Sequence, residues 1–371
     1  MTRNLFYVCL TFAVVVLLGC TGTNKTPTAD YDRQLLLTNV GENIIIPAYS
    51  QLGTDLSNLV TSKEAFWTNS TESNLEAFRL DFIAAYTSFQ YVTMYDFGPA
   101  DVVNALNSMN IFPADTTKIE SNISSETYDL NAGDQLATKG FPALDYLLYG
   151  LGKTDSQIID QFDTATAEGK SRRAYVNDVL NQINERQETV LAAWNSTYLS
   201  QFIAADGVDA GSSTSLLVNN LNMAFEDLKR HKLLDPSGIA SLTGTKRPTE
   251  VEAYYSGEST TLLKVQILAI QELFNGLSYG DKTNQDGFDD YLNVLGAQYN
   301  GGSLSTAICD QFNEVNNALE TLIDPLSNQI TTDSDPIIKV NAEMQKLIVL
   351  LKTDLPSALS ILITYQDGDG D

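Results

Sequence analysis

The sequence predicts an all-α protein. Apolar residues recur at three- and four-residue spacing in long runs, the mark of helices that bury one face. Strand-type alternation between turn signals is scarce. Glycine and proline cluster between the periodic runs, as turns between helices would require. Bundles of antiparallel helices satisfy all three observations.

In chain order, Arg3 precedes an apolar stretch from Leu5 to Leu18, and Leu17-Leu18-Gly19-Cys20 carries the small residue and cysteine of a lipoprotein signal. The stretch falls short of the roughly 20 apolar residues of a comfortable membrane span. Residues 1–19 therefore read as a signal peptide, with Cys20 the lipidated N-terminus of the mature chain. Residues 20–30, polar and proline-containing, read as a tether. Cys9 leaves with the signal and Cys20 carries the lipid, so Cys309 has no partner for a disulfide. It reads as a small packed hydrophobe.

The first helical stripe is Leu75, Phe78, Phe82, Ala85, Phe89 and Val92; the second is Val176, Val179, Ile183, Val190 and Trp194, with one gap. Leu263, Ile267, Ile270, Phe274 and Leu277 make a third, and Ile337, Val340, Met344, Leu347 and Leu351 a fourth. Pro47, in Asn43-Ile44-Ile45-Ile46-Pro47-Ala48-Tyr49, is expected to kink or end a helix. Tyr95-Asp96-Phe97-Gly98-Pro99 and Ile111-Phe112-Pro113-Ala114-Asp115 read as turns. The small, glycine-rich run 205–214 marks a boundary. It divides the chain into a bundle at 31–204 and another at 212–365, followed by an acidic tail at 366–371. A chain of 371 residues favours two cores over one. Pro248, followed by Glu250 and Glu252, reads as a helix start.

A net charge of −25 repels phosphate backbones, which argues against nucleic acid as a partner. His231 is the single histidine, in the charged stretch Asp227-Leu228-Lys229-Arg230-His231-Lys232, and reads as a solvated surface residue. One imidazole cannot build a two- or three-histidine zinc site, so a conventional zinc peptidase is not expected. Gly150-Leu151-Gly152-Lys153-Thr154 lacks the first glycine and the preceding strand of a phosphate loop. Asp281 to Gly287 would put Lys282 at the first ligand position of a calcium loop.

The run Gly140-Phe141-Pro142-Ala143-Leu144-Asp145-Tyr146-Leu147-Leu148-Tyr149-Gly150 is the chemically suggestive one. It reads as a short helix bracketed by glycines, with positions 142 and 145 facing the same way from adjacent turns. Gly287 to Gly296 partly echoes it, starting Gly-Phe and containing Asp-Tyr-Leu, which makes a duplication of the helical halves plausible.

This run resembles the signature of the imelysin-like family, bacterial envelope proteins associated with iron-regulated uptake and long classed as metallopeptidases. The family pattern Gly-x-His-x-x-Glu stands here as Gly140-x-Pro142-x-x-Asp145. The segments at 43–49, 95–99, 111–115 and 246–257 are similar to further family landmarks, so the resemblance samples nearly the whole chain. It implies a site where the two halves meet, containing Asp145 as the candidate metal ligand with Gly140, Pro142, Glu252, Tyr255 and Asp290 around it. Oxygen ligands suit iron or another hard cation and not zinc. For Asp145 the alternative is an acid favoured by the helix dipole.

The resulting expectation is a non-enzymatic envelope lipoprotein that binds a metal ion or iron-containing ligand. Thr21 in place of an aspartate after Cys20 favours the outer membrane. The alternatives are a metallopeptidase working through carboxylate-held metal and water, and a partner-binding module whose site has decayed.

Overall fold

The computed structural model describes residues 31–364. The expected signal peptide, Cys20, the expected tether and the acidic tail lie outside the described residues. Helices dominate, and among the described residues the only strands are Gln298–Tyr299 and Gly302–Ser303, paired antiparallel. No described helix is long and apolar enough to cross a membrane.

Ile46–Thr68 and Glu72–Gln90 form the longest antiparallel pair, and Ala167–Ala193 packs against the first of them. Thr71 and Thr166 cap two of these helices by accepting backbone N–H bonds from Asn74 and Gly169. Beyond the turn at 205–212, Ser213–Asp227, Ser259–Phe274, Leu304–Leu319 and Asp335–Val349 make a second assembly. Ser259–Phe274 also packs against Glu72–Gln90, so one apolar core runs through both assemblies.

The first and fourth stripes are buried at every position. The gap in the second is Gln187, itself buried, whose amide donates to the Tyr49 carbonyl at 2.7 Å. Gly53 leaves room for it, since a Cβ there would meet the Gln187 amide at 2.6 Å. Leu277 lies beyond its expected helix, which ends at Phe274. The chain turns there into a loop closed by the Leu277–Asn284 bridge.

Pro47 does not end its helix. The six residues before the helix at Ile46 form a widened π turn, Val40–Ile45, and the chain stays helical through Pro47 to Thr68. Proline has no N–H to give the carbonyl four residues back. That carbonyl, of Asn43, accepts the N–H of Tyr279 at 2.8 Å from the far assembly. Leu228–Leu234 and Leu350–Asp354 are similar wide turns running into Pro236 and Pro356.

The start expected at Pro248 is one 3₁₀ turn, Pro248–Glu250, and the next α-helix begins at Ser259. Residues 251–257 loop instead, with Ala253 at φ +52°. Two of their N–H groups, of Tyr255 and Ser256, are claimed by a side chain from the other assembly, described next.

Candidate functional site

Gly140–Asp145 is a short helix that continues into a wide turn at Tyr146–Gly150. Both bracketing glycines are there for close approach. Gly140 sits at φ +74°, and a Cβ would meet the Met109 carbonyl oxygen at 2.3 Å. Gly150 makes room for the Tyr255 ring, which a Cβ would meet at 2.6 Å. Gly140→Ala is expected to cost about 2 kcal/mol in urea unfolding, from left-handed strain plus the clash.

Asp145 is buried, and its carboxylate faces the loop 251–257. One oxygen accepts the N–H of Tyr255 at 2.8 Å and the other the N–H of Ser256 at 2.9 Å. Burial pushes its pKa up to about 6, against the pull of these bonds from Ser256 and Tyr255, with Glu252 adding a smaller push. Asp145 is thus neither an acid of the helix's first turn nor a free ligand; it clasps a backbone segment from the other half of the chain.

Glu252 lies deeper, fully buried, and pairs with Lys232 at 2.6 Å. Its other oxygen accepts from the Asn110 amide at 2.8 Å, with Tyr86 Oη and the Gln90 amide at 3.3 Å. Lys232 also donates to Gln90 Oε1 at 2.7 Å, and Tyr86 to Asn110 Oδ1 at 2.6 Å. Tyr86 stacks on Phe141 of the glycine-bracketed run, the rings 4.7 Å apart. Burial, then Glu252 and Asp145, hold its phenol well above the ordinary range.

Pro142 and Asp145 both line a cleft of about 280 Å³, as their spacing predicts. Phe112 and Pro113 form one wall, and Glu250, Tyr254 and Tyr255 the other. The Tyr255 hydroxyl is held protonated by burial and by Asp145. Asp290 is placed elsewhere. It accepts the Gly287 N–H at the start of Phe288–Leu295 and sits with Asp289 and Tyr31. Its hydrogen bond is local and does not reach the Asp145 cleft.

The donor set does not fit a bare cation. Both Asp145 oxygens hold backbone N–H groups, Glu252 is neutralised by Lys232, and Glu250 pairs with Arg247 at 3.0 Å. Among the described residues no three His, Cys, Asp or Glu side chains converge to hold a metal. The decoys also resolve. Thr154 caps the helix Asp155–Asp160, and Lys282, at φ +58°, pairs with Glu272. Cys309 Sγ donates to Asn275 at 3.3 Å, and burial pushes its thiol up to about 11.

Sequence reasoning missed the buried network of Tyr86, Gln90, Asn110 and Lys232. The signal for Lys232 was present: Phe225, Leu228, Lys232 and Pro236 continue a three-four spacing, and all four are buried. Lys229 is buried too, so the charged stretch around His231 is only partly solvated.

No curated protein matches the chain. Two solved structures share its fold at 16% identity. One is a protein described as an iron-regulated protein A precursor from Parabacteroides distasonis, with a TM-score of 0.74 over 91% of this chain and 97% of that one. The other is an imelysin-like protein from Psychrobacter arcticum, with a TM-score of 0.71 over 91% of this chain and 99% of that one. The family model for imelysin, peptidase M75, matches residues 45–353, and the chain therefore belongs to the imelysin family.

Proposed function

We propose that this chain is a non-enzymatic envelope lipoprotein of iron acquisition, anchored through Cys20 to the outer membrane. Its helical halves, 31–204 and 212–365, meet at the Asp145 cleft, which takes iron as a preformed complex with organic ligands. The observation that carries this reading is the double clasp of Asp145 on the Tyr255 and Ser256 N–H groups. A carboxylate turned in that way onto two N–H groups shapes a cleft more than it opens one to a bare ion, and walls that set Phe112, Pro113 and Pro142 beside Glu250, Tyr254 and Tyr255 suit a complex with both apolar and polar surface. The iron connection comes from the family and from the description of the Parabacteroides protein. Against a peptidase stands the same accounting: a metal-bound water needs a metal, and the cleft offers no free set of ligands.

The test is calorimetric titration of the full chain in detergent with ferrous and ferric ions, calcium, ferric citrate and haem. The same series is run on Ala114→Trp, which fills the cleft. Binding of an iron complex that is lost in Ala114→Trp, with little response to bare ions, is the expected result. Tight binding of a bare ion that vanishes in Asp145→Ala would restore a metal site and overturn the reading. A second reading, a partner-binding module with a decayed site, draws on the same clasp and would be favoured by silence toward every iron species.

A further inference from the structure

A second, larger cavity of about 450 Å³ opens on the other side of the buried Glu252 network, between the two assemblies. Asn110 and Lys232, which hold Glu252, form its floor. Its volume falls in the range of small-molecule sites. Leu106, Ile111, Phe112, Met223 and Ala224 give it a mostly apolar lining.

The charges on that lining do not cancel. Lys232 is neutralised by Glu252 at 2.6 Å, and Asp227 is paired with His231 at 2.6 Å. Asp96 is left over. Among the described residues it makes no ion pair; its partner is the Leu106 N–H, and its charged neighbour is another acid, Asp101. Arg186 borders the small void on the far side of Asp96, but it donates to the Gln182 carbonyl and does not pair with Asp96. The cavity also carries Gln266, buried and bonded through its amide nitrogen to Thr93, with an Oε1 that no protein group satisfies. A half-buried carboxylate with no counter-charge, beside an acceptor with no donor, asks for a ligand that brings positive charge and N–H groups. The chain's net charge of −25 draws cations toward it.

We infer that this cavity binds a small organic amine, its ammonium on Asp96 and its apolar body against Leu106, Phe112 and Met223. The site shares only Phe112 with the Asp145 cleft, and with its own probes and variants it stands or falls separately from the iron-complex reading. An ammonium with an apolar stem matches both parts of the lining; a neutral alcohol of the same shape keeps the apolar contact and loses the ion pair. A carboxylate of that shape faces Asp96 with like charge.

Saturation-transfer NMR and calorimetry on the full chain in detergent test this with three probes of one shape: phenethylammonium, 2-phenylethanol and phenylacetate. The ammonium is expected to bind at least tenfold more tightly than the alcohol, and the phenylacetate not at all. Asp96→Asn is expected to erase the preference for the ammonium over the alcohol, and Met223→Trp to abolish binding of both, with unfolding midpoints confirming that each variant is folded. The preference in the native chain can be read even if a variant fails to fold. Equal binding of ammonium and alcohol, preference for the acid, or silence toward all three would overturn the assignment.

Discussion

Breaking the Lys232–Glu252 pair from one side is expected to destabilise the protein by about 3 to 5 kcal/mol, because the survivor is a buried charge that has lost its counter-charge. In Glu252→Gln the Lys232 ammonium keeps only Gln90 Oε1 and a neutral amide, and the Asn110 and Gln90 amides lose their ionised acceptor. In Lys232→Met the Glu252 carboxylate keeps the Asn110 and Gln90 amides as donors and no cation. The combined variant Lys232→Met/Glu252→Gln is expected to recover much of the loss, since no buried charge remains. Urea unfolding of the four proteins gives the coupling energy directly. Additive losses would show that the pair is not coupled as the 2.6 Å separation implies.

Replacing Asp145 by alanine is expected to cost about 2 kcal/mol at pH 7.5, from orphaning the Tyr255 and Ser256 N–H groups. The cost should grow on acidification. A carboxyl with its folded pKa raised to about 6 binds a proton in the folded protein at a pH where the unfolded chain has already released it. Its contribution is fully present below the unfolded value and is lost as pH rises through the folded one. Between pH 7.5 and pH 5 the native protein should gain about 1.4 kcal/mol from Asp145 that the alanine variant cannot gain. Chemical unfolding of both proteins at the two pH values measures that difference. A cost independent of pH would place Asp145 in water and contradict its burial.

Much of the fold is legible in the sequence because helix burial repeats at a fixed spacing, and each stripe names its own inward face. The stripe at 337–351 stays helical and buried throughout, and that at 75–92 is buried throughout although Val92 lies in the turn after Gln90. Leu277 was misplaced because spacing alone cannot see where a helix runs out of partners; Asn275 and Gly276 end it two residues earlier. Of the kink or end expected at Pro47, the helix end does not occur, because a widened turn upstream, which leaves no mark in composition, absorbs the proline.

The site was half legible. Positions 142 and 145 share a cleft wall, as their spacing requires, and Glu252 and Tyr255 come to Asp145 through the chain's return from the other assembly. What Asp145 does there was not legible, since its partners are main-chain N–H groups that every non-proline residue carries. Asp290 was grouped with it on an echo of a few residues, and the structure gives that acid to its own helix start. Lys232 was hidden by its neighbours: in a run of charges the eye reads a surface, while the three-four spacing reads an interior.

The way the assemblies grip each other has a consequence for how this chain tolerates change. Asp145 holds two N–H groups of 255 and 256, and the Asn39 amide holds the carbonyls of Gly276 and Asp286 at 2.9 and 3.0 Å. The Asn43 carbonyl holds the N–H of Tyr279. In each case what is gripped on the C-terminal side is main chain. Substitutions at 255, 256, 279 and 286 can therefore leave these bonds standing, whereas substitution at 39 or 145 removes the hand that grips. Saturation mutagenesis of these contacts would be lopsided, strict at 39 and 145 and permissive at 255, 256, 279 and 286 to all but a proline at the three N–H positions, in contrast to Lys232 and Glu252, which grip through their side chains.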